Sequence, residues 1–298
     1  MTFLNNGEVD DTTAPSALPY GILSPAANVI EDNDDRWLRG FVYPTVDAGA
    51  SLELFPFGGT PTSYDMESAI VPGDAPVSYR KYYPFGIKAS MSASTMGQSP
   101  DELLADASAV LDTVTQKAIE IEFWKGTIAR KLQATDADAG TRYLGGTEDE
   151  DYIDVTPSGS TGGVKPRYAQ ALLEQALADA TIGSRGTLHV PPLVASILKL
   201  KDDKGVLRTN LGTSAIVGAG YSSTGPDGQP VAAGKAWMYA TGPVTVRLGR
   251  IDVTPTTPAE AVDTTVNTIK YFIDRPAAVT WSTANLFAVL VDLSLDYA

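Results

Sequence analysis

Few residues in this chain have the type and spacing to do chemistry. There is no cysteine, which removes thiolate nucleophiles, thiolate metal sites and disulfides together. The single histidine, His189, stands between Leu188 and Val190 in a strand-like stretch ahead of Pro191-Pro192. One imidazole cannot build a multi-histidine metal site, and it leaves little for proton transfer near neutral pH. A structural histidine fits this setting better than a catalytic one. Glu120 and Glu122 are the carboxylates at which a search for acid–base catalysis would stop. Two apart on a helix, they do not share a face, so the expectation is a solvated surface. The acidic run Glu148, Asp149, Glu150 and Asp151 could draw a cation, but its spacing matches no calcium loop. Gly218-Ala-Gly-Tyr-Ser-Ser223 is half of a dinucleotide glycine loop; it lacks the third glycine and opens no helix, so it reads as a turn. There is no Walker loop and no Gly-x-Ser-x-Gly elbow. Ser/Lys or Asp/Asp sites assembled from distant residues leave no local signature, and nothing positive points to one. The chain reads as a non-enzyme with no catalytic residue, cofactor or metal ligand.

Composition narrows the class further. With 298 residues, 43% hydrophobic and 19% charged, the chain can bury a substantial core. No stretch approaches the roughly 18 consecutive apolar residues of a membrane helix, and the first residues do not read as a signal peptide. Net charge is −14. Residues 1–100 hold 12 acids and 5 bases, residues 101–160 hold 13 and 5, and residues 161–298 hold 11 and 12. A protein that tracks phosphates would carry a basic stripe, so tight sequence-specific nucleic-acid binding is disfavoured.

The elements that would position any site follow from patterning. Residues 1–36 read as an arm without a core of its own: Pro15, Pro19 and Pro25 interrupt helices, and acids precede Arg36-Trp37. It is either disordered or laid on a partner surface. Residues 37–97 are dense in turn formers, with strand-like pieces at Leu38–Tyr43, Ser51–Phe57 and Phe85–Ala93. Ten of the chain's 25 aromatics lie there, so the segment should bury surface somewhere, as an extended hairpin packed on something else or as a compact β subdomain. Ser99-Pro100-Asp101-Glu102 is a capping box with proline at the first helical position. Apolar residues then recur at three and four from Leu103 to Ile121, and Ile128 and Leu132 extend the stripe. The spacing predicts a long helix over 99–132, with Gly126 as its soft point.

Residues 133–164 are polar and read as a β-hairpin around Tyr152–Val155. Helices follow at Arg167–Ala180 and Leu193–Leu200, with a strand at Gly186–Val190 between them. Short strands are expected at Ser214–Val217, Lys235–Ala240 and Val244–Leu248. Thr264–Asp274 and Ala277–Trp281 form a strand pair or one bent strand. Leu286–Leu293 reads as a strand buried on both faces.

This order of parts resembles the major capsid protein of tailed bacteriophages, the Hong Kong 97-type fold, and most of all capsids of phages infecting actinobacteria. Tyr271-Phe-Ile-Asp-Arg-Pro-Ala-Ala-Val-Thr-Trp281 with Ala288-Val-Leu-Val-Asp-Leu293 looks like that family's returning strands, and His189-Val-Pro-Pro-Leu-Val-Ala-Ser-Ile-Leu198 also looks typical. The resemblance implies an α+β fold. Residues 1–36 would be the N-terminal arm and 37–97 the extended loop. Residues 98–164 would be a peripheral domain with spine helix 99–132, 165–243 an axial domain, and 244–298 the strands returning to the peripheral domain. It further implies hexamers and pentamers that self-assemble into an icosahedral virion shell around double-stranded DNA, built in the host bacterial cytoplasm. Partners would be other copies of the chain, a separate scaffolding protein, a portal and decoration proteins. Phe55, Phe57, Tyr64, Tyr82, Tyr83 and Phe85 are the candidate contacts between subunits. Lys81 and Lys88 lie where some members crosslink, but no matching motif is present and crosslinking is not expected. The alternatives are an encapsulin-like compartment shell, a hydrolase or oxidoreductase, and an all-β adhesin or tail protein, which the 99–132 helix argues against.

Overall fold

A computed structural model describes residues 17–45, 78–134, 142–145, 152–180 and 186–294, apart from 223, 227 and 283–285. The strands in chain order are β1 (Asn28–Glu31), β2 (Phe41–Thr45), β3 (Ser78–Tyr82), β4 (Phe85–Ser94), β5 (Ile153–Asp154), β6 (Thr187–Val190), β7 (Lys201–Asp203), β8 (Val206–Arg208), β9 (Ser214–Val217), β10 (Lys235–Thr241), β11 (Val244–Leu248), β12 (Asp252–Thr254), β13 (Val262–Asp263), β14 (Thr268–Trp281) and β15 (Phe287–Asp292). The helices are α1 (Pro100–Lys125), α2 (Thr127–Gln133), α3 (Pro166–Ala180), α4 (Pro192–Ala195) and α5 (Pro258–Ala261).

Two sheets carry these elements, with β2 and β3 forming a separate two-stranded ribbon. In the first sheet β14 is the centre. One edge pairs with β4 from Thr268↔Ser94 to Ala277↔Phe85, and β11, β12 and β13 pair with it as well. Strand β1 adds in parallel to β11. On β4, Phe85, Ile87 and Ala89 are buried while Gly86, Lys88 and Ser90 are exposed, the period-two pattern of a strand with one wet face. Helix α1 lies across the dry face, and Leu111, Phe85, Ile87, Val246 and Ile273 share one core. The second sheet runs β5-β15-β10-β6-β9-β8-β7. Helix α3 covers it through Ala169, Leu173 and Leu177, which share a core with Leu188, Met238 and Val289.

Several expectations change. The long helix begins on the expected capping box, with Ser99 and Glu102 bonded reciprocally, but it does not run to Leu132. Gly126 takes φ +61°, a left-handed conformation that ends α1 and begins α2. The unbroken part is about 39 Å long. Among the described residues around Tyr152–Val155 no hairpin forms; β5 instead pairs in parallel with β15. The helix expected at Leu193–Leu200 stops after Ala195. Thr264–Asp274 and Ala277–Trp281 are one continuous strand, β14, starting at Thr268. The final strands divide: β14 returns to the first sheet, whereas β15 enters the second between β5 and β10. The described part of the arm is neither coreless nor detached. Ile22 is fully buried, and β1 completes the first sheet. Hydrogen bonds to a neighbouring strand compensate the backbone that a proline-rich segment cannot satisfy by itself.

Candidate functional site

The second half of α1 runs where the two sheets meet. Ile119, Phe123 and Trp124 share a core with Val246 and Ile273 of the first sheet and with Tyr239 and Ala288 of the second. Here the helix is buried around most of its circumference, and two glutamates are buried with it. Solvation of Glu120 and Glu122 is therefore corrected: they are 0% and 7% exposed. Surrounding sheets, not helical spacing, set that burial.

Each carboxylate is satisfied by backbone. Glu120 Oε1 accepts from Ile22 N–H at 3.0 Å and Oε2 from Gly220 N–H at 2.9 Å. Gln116, one turn earlier, donates Nε2–H to the Leu18 carbonyl at 3.0 Å. The helix thereby grips the arm and the 218–221 turn at one point. A Cβ on Gly220 would lie 2.7 Å from the Lys117 carbonyl oxygen, so only glycine permits this approach. Glu122 reaches past the left-handed Gly126 and accepts from Ile128 N–H at 2.9 Å and Ala129 N–H at 3.0 Å, capping α2. Burial raises the pKa of both carboxyls, and the backbone donors oppose that shift.

His189 is fully buried. Its ring nitrogens lie 2.8 Å from Thr241 Oγ1 and 3.2 Å from the Tyr221 hydroxyl, with the Phe123 ring edge-on at a centroid distance of 5.1 Å. Burial pushes its pKa down to about 3, so the ring is neutral across the physiological range. Both nitrogens are occupied by hydroxyls, the arrangement of a structural histidine. Gly218 to Ser222 forms the turn held by Glu120. Among the described residues, no group of histidines and carboxylates is placed to hold a metal ion, and no helix is long and apolar enough to cross a membrane.

The six aromatic candidates separate. Phe55, Phe57 and Tyr64 lie outside the described residues, as do Ser51–Phe57 as a strand and Glu148–Asp151 as a cation site. Tyr82 and Phe85 are buried in their own chain, at 0% and 6% exposure, and Phe85 belongs to the core beneath α1. Tyr83 keeps partial exposure beside Gly40. Lys88 Nζ stands 4.2 Å from the centre of the Phe272 ring, a cation–π contact on the wet face of β4.

Sequence reasoning missed Gln116 and Glu120 as the residues joining arm, helix and turn, and Glu122 as the cap of α2. The signal was available in part, since Gln116, Glu120 and Trp124 fall at i, i+4 and i+8 along one helix line.

No family model matches the chain, and no curated protein matches it in sequence. Solved structures do match. Mycobacterium phage Adephagia matches at a TM-score of 0.53 and 13% identity, covering 96% of this chain and 94% of the other. The capsid of Ralstonia phage GP4 matches at 0.50 and 10%, covering 90% and 87%. The holo-SrpI encapsulin complex from Synechococcus elongatus PCC 7942 matches at 0.50 and 11%, covering 91% and 89%. End-to-end agreement in both directions, over two sheets bridged by one long helix, gives this chain the α+β Hong Kong 97-type fold.

Proposed function

We propose that the chain is the major capsid protein of a tailed bacteriophage, a structural subunit that self-assembles into hexamers and pentamers of an icosahedral shell around double-stranded DNA. The observation that carries the reading is the shared fold over 96% of the chain with the Mycobacterium phage Adephagia structure. The charge balance fits this role: at −14, an acidic container repels phosphate and lets the genome slide during packaging and release.

In this reading residues 1–36 are the arm, 37–97 the extended loop, 98–164 the peripheral domain, 165–243 the axial domain and 244–298 the returning strands. Phe55, Phe57, Tyr64 and the half-exposed Tyr83 reach neighbouring subunits, while the buried Tyr82 and Phe85 anchor the loop's base. A separate scaffolding protein guides assembly in the host cytoplasm, and a portal occupies one vertex. The role is assembly rather than catalysis.

The match to the SrpI encapsulin complex supports a second reading, a cellular compartment shell that encloses protein cargo. Expressing the chain alone and with its genomic neighbours, then imaging by negative-stain electron microscopy with light scattering, tests both. Shells, tubes or hexamer-sized rings are expected, and nuclease-protected DNA in particles from infected cells separates phage from compartment. A compact monomer that fails to assemble even with the neighbouring genes present overturns both readings.

A further inference from the structure

One exposed strip of α1 has the same spacing read from either end. Asp106, Val110, Val114, Lys117, Ile121 and Lys125 are all exposed, all lie within α1, and follow one another at intervals of 4, 4, 3, 4 and 4. At 3.6 residues per turn they fall in one strip roughly 100° wide. Its apolar members meet water: Val110, Val114 and Ile121 are 41%, 38% and 38% exposed. Asp106 accepts a hydrogen bond from the Gln98 amide. Among the described residues Lys117 and Lys125 enter no ion pair.

The strip is complementary to its own reversal. A second copy of α1 can lie antiparallel to the first, about a two-fold axis at the level between Thr115 and Gln116. Asp106 then faces the partner's Lys125, Val110 faces the partner's Ile121, and Val114 faces the partner's Lys117, each pair occurring twice. Opposite charges meet at both ends and apolar side chains meet between them. The central lysine lays its methylene stem on a valine and keeps its ammonium in water. A parallel pair would set each charged residue against its own copy, so the charges select the antiparallel arrangement. Such a contact is isologous, the kind that a two-fold axis requires. The strip spans about 29 Å of helix. One helix pair of that length buries less than the roughly 1,200 Å² of a stable dimer, so it suits copies already held side by side.

We propose that α1 is a docking helix for a second copy of this chain, pairing antiparallel along this strip with Asp106 and Lys125 fixing the register. The contact rests on the shell reading and gives it a two-fold junction between subunits.

The chain has no cysteine, so two single variants suffice for the test. Full-length Val110→Cys and Ile121→Cys chains are co-expressed with the neighbouring genes, then oxidised mildly both as particles and as concentrated free chain. A link between position 110 of one chain and position 121 of another is expected several-fold faster than either variant links to itself. In an antiparallel pair, like positions are offset by about 16 Å along the helix. The mass of the linked peptides identifies each link. Lys125→Asp should slow the link several-fold, and adding Asp106→Lys should restore it, which a mere loss of helix stability would not do. Circular dichroism checks folding, and the exposed pair Asp106→Cys with Lys125→Cys serves if Ile121→Cys misfolds. Links between like positions in preference, or no link in particles or free chain, overturn the pairing. Shells that form without the link overturn the pairing and leave the shell reading standing. Linked pairs from chains that build no shell support the pairing and overturn the shell.

Discussion

Glu120 and Ile22, 98 residues apart, meet through one hydrogen bond: the Ile22 N–H donates to the buried carboxylate at 3.0 Å. With Gly220 on the other oxygen, that carboxylate fastens the arm and a turn before the second sheet's strand β10 to the second half of the long helix.

Removing the junction should be costly. Glu120→Ala leaves two buried N–H groups without an acceptor, each worth about 1–3 kcal/mol. The expected loss is about 2–6 kcal/mol of subunit stability, read by denaturant unfolding, with faster proteolysis near Leu18. Glu120→Gln keeps an acceptor oxygen and should cost less. Equal stability of Glu120→Ala and wild type would remove the junction from the account.

The pH dependence of the same residue has a definite sign. Burial raises the folded-state pKa of Glu120 above its usual 4.5. The folded state therefore holds a proton that the unfolded state releases. The contribution is present below pH 4.5 and is lost as pH rises from there through the elevated folded value. Wild type minus Glu120→Gln, followed by unfolding against pH, should show stability falling across that window.

His189 behaves in the opposite sense. Its pKa falls from 6.5 to about 3 on burial, so the unfolded state binds the proton first. Stability from the neutral ring is complete above pH 6.5 and declines as pH falls toward 3. His189→Gln should flatten this part of the acid limb while lowering stability at neutral pH, because the Tyr221 and Thr241 hydroxyls lose their shaped partner.

The helix break gives a fourth test. Gly126 has φ +61°, and a Cβ there would lie 2.1 Å from Cγ of the Tyr143 ring. Gly126→Ala should destabilise by about 1 kcal/mol from backbone strain alone, and by more from the displaced ring. If α1 and α2 instead fused at no cost in melting temperature, the left-handed break would not be a fixed part of the subunit.

Ile22→Ala probes the arm. Ile22 is fully buried and packs in the core beneath α1. A loss of about 2–5 kcal/mol is expected from the removed side chain and the cavity it leaves. An effect near zero would show that the arm does not depend on this contact.

What the sequence determined by itself is the local chemistry. The capping box set the start of α1 at Ser99, the strand-like piece Phe85–Ala93 between turn formers marked β4, and the apolar run Leu286–Leu293 marked β15 as a strand buried on both faces. These patterns rest on contacts within a few residues and on period, so they survive without knowledge of neighbours. The missing thiols and the single histidine likewise narrowed the chemistry. Only the tertiary structure decided that Glu120 and Glu122 are buried, that the arm joins the first sheet, and that β14 and β15 part company. Each depends on surfaces supplied from far along the chain: Gly220 for Glu120, β11 for β1, β10 for β15. A carboxylate enters a core only when distant backbone donors are already waiting for it, and helical spacing does not reveal where those donors will be.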